Sequence, residues 1–145
     1  MKKGITVLLI VVVLIQFIRP EKNDSKEGLN DISTVMNIPD EVKSIIKTSC
    51  ADCHSNYTKY PWYSEIAPVS WYLAQHVNEG KEHLNFSEWT SYNKDQKKHI
   101  LKDLEEELEG NEMPLRSYLI IHENAKMNKN QYKTLLNWVK TISVD

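Results

Sequence analysis

Two cysteines three residues apart, followed directly by a histidine, are the residues best placed to do chemistry: Cys50-Ala51-Asp52-Cys53-His54. They are the only cysteines in the 145-residue sequence. The spacing C-x-x-C-H is that of the attachment site of a c-type haem. Thiols on one helical turn reach the two vinyl groups along one porphyrin edge, and the imidazole that follows is carried beneath the iron as its proximal ligand. The expectation is one covalent haem c per chain, held by Cys50, Cys53 and His54. Other chemistries use the same residue types. A thioredoxin-like pair also reads C-x-x-C, but it needs a strand-to-helix junction, and no strand alternation is found. A structural disulfide fits an oxidising compartment. A zinc site needs two more ligands, and the remaining histidines form no tight i, i+3 or i+4 pair.

The other axial position on an iron held by His54 falls to Met113, in Asn111-Glu112-Met113-Pro114. It follows the break at Gly110, so it sits on a loop that Pro114 stiffens. Its soft thioether suits haem iron, and Met/His ligation raises the reduction potential. Filling a core gap is the other common use of a methionine. His122, in Tyr118-Leu119-Ile120-Ile121-His122, is the rival ligand, and an open position is the remaining alternative. Met36 and Met127 are weaker candidates, and His76, His83 and His99 read as surface or core-edge residues. Trp62, Trp71, Trp89 and Trp138, with seven tyrosines, either shield a porphyrin from water or fill a core. Glu105-Glu106-Glu107 with Glu109 reads as a solvated helix face that also suits a basic redox partner.

These residues need a scaffold, and the pattern around them is helical. Val42, Ile45 and Ile46 share one face over Asp40 to Ser49, and acidic residues open that helix. Asn56 to Pro68 reads as an aromatic-rich loop. Val69 to about Gly80 reads as a helix stopped by Gly80. Asp95 to Glu109 carries Ile100, Leu101, Leu104 and Leu108 at helical spacing, with Gly110 as its C-terminal signal. Asn128 and Gln131 form a capping box for a last helix over Lys129 to Ile142. The fold class expected is all-α, a small cytochrome c-like domain.

Ahead of this domain, Lys2 and Lys3 precede an apolar run from Ile5 to Ile18, interrupted only by Thr6 and Gln16. No small-residue cleavage site follows it, so residues 1–19 read as an uncleaved signal anchor. The run is short, since about 15 helical residues rise only ~22 Å against a ~30 Å hydrocarbon core. Residues 20–38 read as a polar tether and residues 39–145 as the haem c domain. Basic residues at the start place the rest outside the cytoplasm, on the periplasmic side of a bacterial inner membrane. The net charge of −2 conceals an asymmetry. Lys2, Lys3 and Arg19 are the basic residues of the anchor, which leaves 15 basic against 20 acidic residues beyond it. The net charge of −2 argues against a nucleic-acid binder, and an acidic domain on a basic-ended anchor is expected not to lie flat on an anionic membrane.

Further stretches carry a resemblance. Cys50 to His54, Tyr60-Pro-Trp-Tyr-Ser-Glu-Ile-Ala-Pro-Val-Ser-Trp71, Leu84-Asn-Phe-Ser-Glu-Trp89, Glu112-Met113-Pro114 and Ser117-Tyr118 through His122 resemble the bacterial haem-binding domain family of cytochrome-like proteins. The resemblance continues to the Trp138 helix. It implies a covalent haem c at Cys50, Cys53 and His54 on a small exported helical domain. The plan is also similar to that of monohaem cytochromes c, in which a Met-Pro loop before a C-terminal helix supplies the distal ligand, here Met113. With no acid–base or nucleophile constellation, the expected function is electron transfer with redox protein partners. The alternative is a haem enzyme or sensor with an open site and His76, His83 or His122 on its distal side.

Overall fold

The computed structural model describes residues 2–25 and 28–144, and the described residues hold helices and turns but no strand. A short antiparallel bridge joins Asp24 to Tyr57. The helices are α1 (Lys2–Ile15), α2 (Asp40–Ser49), α3 (Ala51–His54), α4 (Val69–His83), α5 (Lys94–Gly110), α6 (Arg116–Leu119) and α7 (Lys129–Val139).

Local chemistry sets several of these boundaries. Asp40 and Glu41 in the first turn of α2 and Lys47 in its last complement the helix dipole. Both α5 and α7 open with reciprocal capping boxes, Asn93 with Gln96 and Asn128 with Gln131. The stop of α5 differs from expectation: Gly110 is its last helical residue, and Asn111 takes the left-handed conformation at φ 54°. Asparagine tolerates that region better than other residues with a Cβ. Gly80 does not stop α4, which runs on to His83. The glycine is needed because a Cβ there would stand 2.9 Å from the carbonyl oxygen of Cys53, so α3 lies directly against α4.

Val42, Ile45 and Ile46 of α2 bury against Leu135, Trp138 and Val139 of α7 and Ile100 and Leu108 of α5. Trp89 and Met127 are buried in the same core. Trp138 and Met127 are therefore packing residues.

Two expectations for the N-terminal part are corrected. At 1.5 Å per residue the 14 residues of α1 rise about 21 Å, and no described helix is long and apolar enough to cross a membrane. Residues 1–19 are thus not supported as a spanning anchor. Just past the end of α1, Gln16 is bound to the domain: its Nε2 donates to the Ala67 carbonyl and its Oε1 accepts from the Ala67 N–H. The described residues of 20–38 pack on the domain rather than forming a tether. Asn23 donates to the Ser55 carbonyl at 2.8 Å and accepts from Lys81 at 2.7 Å, while the Thr58 N–H donates to its carbonyl. Further on, Ile32 and Ile38 enter the core at 3% and 4% exposure. Their polar neighbours hide these two residues from a reading based on periodicity.

Candidate functional site

The C-x-x-C-H segment forms the corner between α2 and α3. Cys50 closes α2, and the N–H groups of Cys53 and His54 both donate to its carbonyl, at 3.2 and 3.0 Å. This puts both thiols and the imidazole on one tight turn. Both thiols are unbridged. Burial, with the neighbouring Cys53, pushes the Cys50 thiol up to about 12; burial and then Asp52 push Cys53 up to about 11. Both are therefore neutral thiols at pH 7. His54 Nδ1 donates to the Leu84 carbonyl at 2.9 Å. Burial lowers its pKa, although the Leu84 and Gly80 carbonyls oppose this. The imidazole is neutral, with its proton on Nδ1 and a lone pair on Nε2.

Cys53 lines an open-mouthed, mainly apolar cleft of ≈ 780 Å³, counting the space at its mouth. Leu73, Val77 and Tyr72 of α4 form one wall, and Leu115, Tyr118, Ile121 and His122 form the other. A polar chain crosses between the walls. The Tyr118 hydroxyl donates to Asp52 Oδ2 at 2.7 Å, the Lys59 N–H donates to Asp52 Oδ1, and the Tyr118 ring stacks on His122 at 4.2 Å. His122 Nε2 in turn is hydrogen-bonded to the Tyr63 hydroxyl. Burial, followed by the Asp52 carboxylate, drives the Tyr118 pKa far upward, so its phenol stays protonated.

The structure groups the residues singled out from sequence only in part. His122 and His76 line the cleft with Cys53, whereas Met113 does not. Met113 is half-buried on the loop between α5 and α6, and its carbonyl accepts from the Tyr132 hydroxyl at 2.8 Å. Tyr132 packs against the core beside Cys50. His83 is exposed, and His99 pairs with Asp103 on α5. Of the two roles open to the tryptophans, Trp89 and Trp138 take core packing, and it is tyrosines 63, 72 and 118 that line the cleft. Asp52, Tyr63, Tyr118 and Gly80 were not identified as site residues from sequence. Only Asp52, between the cysteines, carried a signal in its position.

The chemistry of the residues fits a haem: two neutral thiols on one turn, an imidazole held by a backbone carbonyl as metal-bound histidines are, and an apolar cleft that Cys53 lines, although Cys50 and His54 do not. Among the described residues no group of three or more His, Cys, Asp and Glu gathers as a closed metal site would require. An all-helical domain built around this corner defines a small haem-binding protein. Residues 10–141 match the model of the haem-binding domain family, and the chain belongs to that family. No curated protein and no solved structure matches the chain.

Proposed function

We propose that the protein is a membrane-attached monohaem cytochrome of the c type that carries electrons on the periplasmic side of a bacterial inner membrane. The observation that carries this reading is the corner at residues 50–54. It presents both thiols on one turn, and the bond from Nδ1 to the Leu84 carbonyl leaves the lone pair on His54 Nε2, the nitrogen that would bind the iron. Cys50 and Cys53 would hold the haem through thioethers and His54 would bind its iron. When bound, haem supplies a one-electron ferric–ferrous couple. The apolar walls of the cleft exclude water and lower the local dielectric, which tunes that couple.

Met113 would be the second residue to hold the iron in this reading. Two observations support it: His122 Nε2 is engaged by Tyr63, and the Met113 loop is held by Tyr132 beside Cys50. Membrane attachment is assigned to α1, which is apolar along its length behind Lys2 and Lys3.

Expression alongside haem-attachment machinery tests the proposal. A haem stain that survives a denaturing gel, and is lost in the Cys50→Ala/Cys53→Ala variant, is the expected result. A weak sulfur-to-iron band in the oxidised spectrum, absent in Met113→Ala, would identify the sixth ligand. A colourless protein under these conditions overturns the haem c assignment.

One observation favours a second reading, an enzyme or sensor with an open distal position: His76 and His122 line the cleft and Met113 does not. Rapid carbon monoxide binding that is unchanged in Met113→Ala is the result that would select it.

A further inference from the structure

The last turn of α1 is clamped to the domain. Besides the two-way bond between Gln16 and the Ala67 backbone, the Trp71 indole N–H donates to the Ile18 carbonyl at 2.8 Å. Arg19 and Lys22 each reach Glu65 at 2.6 Å. Around this clamp the surface is apolar: Phe17, Ile18, Trp62, Ile66 and Val69 are all exposed, Trp62 at 78%. Trp62 and Glu65 bound one short 3₁₀ turn. With three residues per turn, they share an edge.

Lipid is the occupant these features single out. The described side chains of α1 up to Leu14 are exposed on every side, with no polar face to mark a protein-facing stripe. At about 21 Å the helix is ~9 Å short of a hydrocarbon core. A short apolar stretch is accommodated by drawing its flanks toward the membrane or thinning the bilayer. Here the flank is the clamped, apolar edge of the domain, and it carries an exposed indole, a group that settles at the lipid–water interface. The family match begins at residue 10, inside α1, so the clamp belongs to the domain that the family shares.

We infer that, against the expectation from the acidic charge of the domain, the face bearing Phe17, Ile18, Trp62, Ile66 and Val69 rests on the bilayer surface through apolar contact, with the clamp fixing the angle at which the domain leaves α1. The cleft mouth, to which Val69 and Tyr72 contribute, then opens at the lipid interface. This inference rests on the membrane attachment proposed above and adds orientation to it.

The test uses the full chain carrying haem, reconstituted into phosphatidylethanolamine–phosphatidylglycerol vesicles with a trace of phospholipid bearing an acyl-chain diazirine. After irradiation, adducts are mapped by mass spectrometry. Adducts on Trp62, Ile66 and Val69, as well as within residues 2–18, are the expected result. In Gln16→Ala/Glu65→Ala, whose unaltered fold is checked by circular dichroism, adducts at 62–69 fall several-fold while those at 2–18 persist. Adducts confined to residues 2–18 in the parent protein, or an unchanged pattern in the variant, overturn the docked orientation. Failure to co-sediment with vesicles overturns membrane attachment and the orientation with it. Haem staining of the same band reports separately on the haem c proposal.

Discussion

Asp52 has no free carboxylate oxygen: one takes the Lys59 N–H and the other the Tyr118 hydroxyl. The residue between the two thiols therefore ties the cysteine turn to the opposite wall of the cleft. Tyr118→Phe should lower stability by about 1.5 kcal/mol, the low end for a bond to a charged group because the site is only partly buried. Urea unfolding of the haem-free chain measures this, and an unchanged midpoint would show that the bond contributes nothing. The cysteines give a second expectation. Their pKa values are raised to about 12 and about 11, so the reactive thiolate is scarce at pH 8 and increases only as pH climbs toward those values. Alkylation of the reduced, haem-free protein by iodoacetamide at pH 8 should be on the order of a hundredfold slower than that of an exposed cysteine. Rapid labelling of both thiols would contradict the burial. The turn itself was legible in the sequence because all its members lie within five residues. Tyr118 and Asp52, 66 residues apart, meet only through the fold.

The junction of α3 and α4 depends on the missing side chain at Gly80. Gly80→Ala would force the methyl onto the Cys53 backbone, which cannot give way as a flexible side chain would. The expected cost is about 1–3 kcal/mol of overpacking strain, read as a fall in melting temperature. The strap over residues 28–38 makes a separate prediction. Ile32→Ala should destabilise by about 2–5 kcal/mol, as for a buried isoleucine, whereas a free tether would show no change. The limits of α2 and the start of α7 could be read from sequence because dipole-matching charges and a capping box act locally, whereas α7 ends at Val139, short of the Ile142 expected. The strap could not, since two isolated isoleucines in polar sequence form no period. Gly80 was misread because a glycine near a helix end has two explanations, termination and close approach, and only the partner helix decides between them.

A haem seated in the cleft would complete an apolar wall that the chain leaves open. The haem-loaded protein should therefore melt well above the haem-free one, since whatever binds only the folded state stabilises it. Equal melting temperatures in differential scanning calorimetry would contradict that placement. The all-helical class followed from composition and periodicity, but the overall arrangement, with the N-terminal segment wrapped back over the domain, did not, because long-range docking leaves no local trace. That wrapping also sets an order in time. Gln16 waits for Ala67, 51 residues later, and Asn30 for Thr90, 60 residues later. At roughly 5–20 residues per second of synthesis, α1 precedes the backbone that clamps it by about 3–10 s. During that interval the apolar helix has been made and its docking surface has not, so whatever first receives it acts before the fold can.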